Sequence, residues 1–363
     1  MITRSPFPFQ GPLAPEQVTG REELGRDLAE RLLQRRVTAL LGPRRYGKTS
    51  LLKRVTADLA QVGPETVWID LYELSSMADL ASAVDQGLAS VTSPLARTLR
   101  DIAGSVSLRL GVLGLELARS RRDRPDPVLS LRALLRVLVR AAERQPLVVV
   151  FDEFSGIGDV KKAPGVLRTE LQHHYQDLSI VFAGSQPSTM RALFTDQAEP
   201  FFAQADLVEI GPLADDAVAA VVEDGFAGTG RAAGRVVPDL VHFVDGHPQR
   251  AMQMADALWR RTDEGATATA ETWEAALADV RASVDAGSER LFALLPSGQQ
   301  RTLRVVANGG SVFGTAADVV DLAPGTAQAA VESLVGNGYL ARGDRLQVVD
   351  PLLADWLRRR FPF

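Results

Sequence analysis

Gly42-Pro43-Arg44-Arg45-Tyr46-Gly47-Lys48-Thr49 is the stretch that decides the fold, and it matches G-x-x-x-x-G-K-[ST]. Glycines at both ends let consecutive backbone N–H groups turn inward around phosphate oxygens. The helix that follows adds its positive N-terminal end. In that pattern Lys48 reaches the β- and γ-phosphates and the Thr49 hydroxyl ligates Mg²⁺, and residues 42–50, Ser50 included, are the expected nucleotide-binding loop. The motif needs a strand before it and a helix after it. Residues 37–41 (Val-Thr-Ala-Leu-Leu) and 49–59 have the required character.

Outward from this loop, short apolar runs alternate with helical periods over roughly the first 210 residues. Runs at 37–41, 66–71, 147–151, 180–183 and 207–210 are β-branched-rich and lie between turn signals. Such runs suit strands buried on both faces of a parallel sheet. Helical periods at 22–33, 49–59 and 129–142 intervene, and Thr19-x-x-Glu22 has the capping-box pattern that opens the first. The expected class is therefore α/β with a P-loop core. Alternation of apolar and polar residues over 105–117, with Gly111 and Gly114, predicts an inserted hairpin.

Two further stretches carry chemistry. Pro146-Leu147-Val148-Val149-Val150-Phe151-Asp152-Glu153 is an apolar strand ending in two acids. Asp152 is the expected Mg²⁺ holder, directly or through water, and Glu153 the general base toward water. A helix cap is the bland reading of the same acids. After the run at 180–183, Ser185 is the expected polar sensor between phosphate and water, with Gln186 as the alternative and a helix N-cap as the structural one. Arg44 and Arg45 would add positive charge beside the phosphates or lie solvated in the loop. Gly246-His247-Pro248 opens a helix with Arg250 in its first turn, which either brings a cation over the γ-phosphate or is only a breaker.

Composition narrows the rest. The 363 residues carry a net charge of −5, contain no cysteine and have four histidines. That excludes disulfides and thiolate sites, leaves little basis for zinc, and argues against a generally basic surface. No uncharged run approaches the ~18–20 residues of a membrane span, and prolines occupy the start where a signal peptide is apolar. A cytoplasmic protein is expected. The length predicts two or three domains: a core over 1–212, a helical lid over 213–290, and a unit over 291–363. The last reads as three helices, a hairpin at Gly343-Asp344 and a final helix, a winged helix-turn-helix.

Together these residues resemble the archaeal-type ATPases of the signal-transduction branch of AAA+-like P-loop proteins. The resemblance covers almost the whole chain. It rests on Gly11-Pro12-Leu13-Ala14-Pro15 through Thr19-Gly20-Arg21-Glu22, the P-loop extended to Leu52, and Phe151-Asp152-Glu153-Phe154. Phe182-Ala183-Gly184-Ser185, Leu193-Phe194 to Pro200-Phe201-Phe202, Gly246-His247-Pro248-Gln249 and Asp350-Pro351-Leu352-Leu353 complete it. The resemblance implies ATP as the nucleotide, an additional-strand core, a lid closing over the site and a C-terminal winged helix. It supports Lys48, Thr49, Asp152, Glu153 and Ser185 in the roles above. Adenine would then lie near Val18-Thr19-Gly20, with Pro248 contacting the nucleotide from the lid. One departure concerns the arginine that relatives often carry before the last core strand. Here the run is Phe201-Phe202-Ala203-Gln204.

The leading expectation is a slow, Mg²⁺-dependent ATPase acting as a switch through lid and winged helix, with a protein partner and a possible oligomer. The alternative is a DNA-binding initiator-like or transposition-associated factor using ATP as an assembly cofactor. Residues 291–363 carry seven arginines against six acids, and the helix expected at 326–335 has no cation and carries Glu332. Weak DNA binding at best is expected, because phosphate contacts supply most non-specific affinity. A small-molecule kinase is disfavoured, since no substrate pocket is legible.

Overall fold

The computed structural model describes residues 4–105 and 126–362. The hairpin expected at 105–117 lies outside the described residues, apart from Ser105, which closes a helix. The first part runs α1 (Glu22–Leu33), β1 (Thr38–Leu41), α2 (Lys48–Ala60), β2 (Glu65–Asp70), α3 (Met77–Ala89) and α4 (Leu95–Ser105). It continues α5 (Pro127–Ala142), β3 (Leu147–Asp152), α6 (Ala163–Leu171), β4 (Ser179–Gly184), α7 (Pro187–Thr195) and β5 (Asp206–Glu209).

The five strands form one parallel sheet in the order β2-β3-β4-β1-β5. β4 thus stands between β1, which leads into the P-loop, and β3, which ends in Asp152. This is the additional-strand arrangement. Every residue of β1, β3 and β4 is buried, because sequences such as Leu147-Val148-Val149-Val150-Phe151 offer no polar face and need cover on both sides. Alternate side chains divide between two cores. Leu40, Val148, Val150, Val181 and Ala183 pack beneath α1 and α2. Ala39, Leu41, Val149, Phe151 and Phe182 pack beneath α3 to α7. The second core contains an aromatic stack: Phe154 and Phe182 lie 4.4 Å apart, and Phe194 and Phe201 close around them. Each fully buried ring contributes roughly 1.5–3 kcal/mol. The stack clamps the turns after β3 and β4, where Glu153 and Ser185 sit.

Four helices follow: α8 (Asp215–Ala227), α9 (Val237–Val244), α10 (Pro248–Arg260) and α11 (Ala270–Leu294). Their core admits Phe7 from the N-terminal segment, whose ring lies 5.7 Å from Phe226. The last part contains α12 (Ser297–Ala307), α13 (Thr315–Val319), α14 (Pro324–Gly336), the antiparallel pair β6 (Leu340–Arg342) and β7 (Leu346–Val348), and α15 (Pro351–Arg360). This is a winged helix-turn-helix. It is bolted to the helical region: Leu352 enters the core of α8–α11, and Arg281 donates twice to Asp355, at 2.9 and 2.6 Å.

Candidate functional site

The P-loop turns tightly between β1 and α2. A Cβ on Gly42 would stand 2.2 Å from Ile210 Cγ2, so only glycine lets the chain leave the sheet there beside β5. Gly47 takes φ +87°, a left-handed conformation that other residues adopt at a cost. α2 then begins at Lys48 with no side-chain cap, and the first N–H groups of a helix have no partner within it. Lys48 is buried, and its ammonium donates to the Gly42 and Pro43 carbonyls, each at 2.8 Å. Burial pulls its pKa down to about 8, against the attraction of Glu153 and Asp152. An ammonium so placed gains from an incoming polyanion, which restores what burial removed.

Thr49 Oγ1 donates to Asp152 Oδ2 at 2.8 Å, joining the helix end to the end of β3. Burial raises the Asp152 pKa, while hydrogen bonds from Thr49 and the Glu153 N–H oppose it. A hydroxyl and a carboxylate side by side are hard oxygen donors, the set that suits Mg²⁺ held by few protein ligands plus phosphates and water. Among the described residues no group of three or more His, Cys, Asp or Glu gathers for any other metal. Thr49 and Asp152 would hold the ion, which would supply charge neutralisation at the phosphates.

Glu153 follows with φ +53°, a left-handed turn that swings it off the strand line. Its Oε2 accepts from Ser185 Oγ at 2.5 Å. Of the two sensor candidates, Ser185 is therefore the one that touches the acid. Gln186 instead accepts from Thr189 at 3.1 Å, and no side chain caps α7, so the N-cap reading of Ser185 does not hold.

These groups open on a cleft of about 400 Å³. Arg45, Tyr46, Gly47, Lys48, Thr49, Ser50 and Glu153 line its charged end. Val18, Leu213, Val218, Val221, Pro248 and Met252 give it apolar walls. Ser50 Oγ accepts from Leu13 N at 3.0 Å, so this side chain ties the entry segment to α2. Arg44 is exposed, and Arg45 is exposed with φ +67°.

Arg250 does not lie over the phosphate end. It is buried, and it grips Asp350 through two hydrogen bonds, Nε to Oδ1 at 3.0 Å and Nη2 to Oδ2 at 2.5 Å. Asp350 also accepts from Leu352 N and so caps α15. His247 caps α10 through Nδ1, with Arg250 N at 3.4 Å, and burial lowers its pKa to about 4. The P-loop residue Tyr46 meets it edge-on, with centroids 5.0 Å apart. Spacing alone hid this triangle, because Asp350 lies a hundred residues from Arg250. Gln204 Nε2 donates to Phe202 O at 3.3 Å, and Arg191 pairs with Glu209 on β5.

Residues 31–191 match the family model described as an AAA domain. That stretch, which holds the P-loop and the end of β3, is an AAA domain. This agrees with the archaeal-type resemblance carried by its motifs. Among solved structures, a Walker-type ATPase of Pyrococcus abyssi superposes with a TM-score of 0.74 at 22% identity, covering 97% of this chain and 99% of that one. The ORC2 protein of Aeropyrum pernix in its ADPNP–ADP complexes gives 0.58 at 14% identity, over 97% and 96% of the two chains. The ORC1 protein of Aeropyrum pernix in complex with DNA gives 0.52 at 14%, over 98% and 96%. At these identities the likeness is one of fold. No curated protein matches this chain in sequence.

Proposed function

We propose that this AAA protein binds ATP with Mg²⁺ in the P-loop cleft and hydrolyses it slowly, as a switch read through its lid and winged helix. Lys48 and the backbone N–H groups of residues 44–50 hold the phosphates. Glu153, oriented by Ser185, accepts the proton of the attacking water. Val18 and Pro248 bound the nucleoside end.

One observation carries the switch reading: Tyr46 of the P-loop packs on His247, and two hydrogen bonds from the neighbouring Arg250 hold Asp350, the cap of α15. A change at the phosphates thus has a packed route into both C-terminal units. Val349 also packs against the core beneath the P-loop, and Ser188 of α7 donates to Gly336 O at the end of α14 at 3.4 Å. The chain lacks cysteine, so labels can be placed at will. Spin labels on Lys53→Cys and Gln328→Cys should report different distance distributions with ATP and ADP. Identical distributions in both states count against a switch.

The DNA-binding alternative draws on the fold likeness to the ORC1 protein and on the exposed Arg342, Arg345 and Arg360. The outward face of α14 speaks against it, since Gln328, Ala329 and Glu332 are exposed there without a cation. We favour a protein partner for this unit, and a partner or second copy as the source of any finger cation. No described helix is long and apolar enough to cross a membrane.

A further inference from the structure

We infer that Gln249 reads the nucleoside: its Oε1 accepts a hydrogen bond from a donor on the nucleoside half of the bound triphosphate. This rests on the nucleotide reading above. Gln249 is the second residue of α10, next to Pro248, and it lines the cleft. Its Nε2 donates to Phe9 O at 3.0 Å. A carbonyl can only accept, so this contact fixes which way the amide faces. Its Oε1 is buried and has no hydrogen-bond partner among the described residues.

A buried acceptor left unpaired is costly, so a ligand that brings a donor gains at this position. The chemistry of the ligand narrows where that donor lies. At neutral pH the triphosphate oxygens are acceptors, which an amide oxygen repels. The donors of ATP are its 6-amine and its ribose hydroxyls, all on the nucleoside half. Gln249 also stands among apolar cleft residues, Val218, Val221, Pro248 and Met252, which suit a flat base and sugar better than a phosphate chain.

The test is calorimetric titration of the full chain with ATP, inosine triphosphate, 2′-deoxyATP and 3′-deoxyATP. Wild type is compared with Gln249→Leu. Gln249→Leu should weaken ATP binding roughly two- to tenfold, the worth of one neutral hydrogen bond. The analogue that lacks the relevant donor should bind both proteins alike. If that analogue is inosine triphosphate, the donor is the base amine; if a deoxy analogue, it is a ribose hydroxyl. Equal weakening of all four ligands by Gln249→Leu, or none, overturns the assignment while leaving the nucleotide site intact. A wild type that binds no triphosphate overturns the site itself.

Discussion

Ser185 Oγ donates to Glu153 Oε2 at 2.5 Å, linking the turn after β4 to the acid that follows β3. The contact crosses adjacent strands, since β3 and β4 pair in register through Phe151 and Phe182. A carboxylate holding a hydroxyl in this way is oriented, and its other oxygen remains to take a proton from water.

Glu153→Gln should therefore keep ATP binding and lose turnover by about 10²–10⁴, because an amide retains the shape but cannot accept a proton. Ser185→Ala should lower turnover less, with binding unchanged. Single-turnover hydrolysis beside direct binding separates the two effects. Unchanged turnover in Glu153→Gln would remove Glu153 as the base.

Lys48 supplies a second expectation. Its pKa of about 8 in the free protein comes from burial, and phosphate oxygens would raise it on binding. At pH 8 roughly half the free sites lack the proton that the complex needs, so ATP should bind with uptake of about half a proton. Affinity should fall as pH rises through 8. Calorimetry in two buffers of different ionisation enthalpy measures this, and equal heats would mean that no proton is taken up.

His247 gives stability a pH dependence of definite sign. The unfolded chain takes a proton below about pH 6.5, whereas the folded ring resists it down to about pH 4. Stability from this group is complete above 6.5 and declines as pH falls toward 4. Between pH 7 and pH 5 the loss is roughly 2 kcal/mol. His247→Asn keeps a capping oxygen and should flatten that slope in urea midpoints. The same slope in both proteins would place the pH dependence elsewhere.

Gln204 stands where relatives often place a finger arginine, and its amide closes its own turn onto Phe202 O. Arg191 is engaged with Glu209. A finger is worth about 10³–10⁵ in rate where one is supplied. The isolated protein should therefore turn over slowly, with a specific activity that stays flat as concentration rises. Turnover climbing steeply with assembly would show that a second copy supplies the cation.

Much of this architecture is local and so was legible in the sequence. The expected core strands lie within one residue of those observed, because each is an apolar run bounded by turn residues. The P-loop, Asp152 and Glu153 are legible for the same reason, each fixed by the end of its own strand. What was not legible depends on pairs far apart in the chain. Gly246-His247-Pro248 announces a helix start but not the partner of Arg250, and only folding brings Asp350 to it. Ser50 reads as part of a phosphate loop, yet its hydroxyl goes to Leu13 N. α3 and α4 lie between the helical periods at 49–59 and 129–142. The Ser76 side chain caps α3 at Asp79 N, a signal that was present.

The central claim is that the P-loop cleft holds ATP through Lys48. Thermal unfolding with and without ATP–Mg²⁺, on wild type and Lys48→Ala, tests it most directly. Losing a buried charge-assisted phosphate contact should cost about 3 kcal/mol or more, by analogy with removed oxyanion donors. We expect ATP–Mg²⁺ to raise the unfolding temperature of the wild type and to leave Lys48→Ala unmoved. Equal stabilisation of the two proteins would contradict the account.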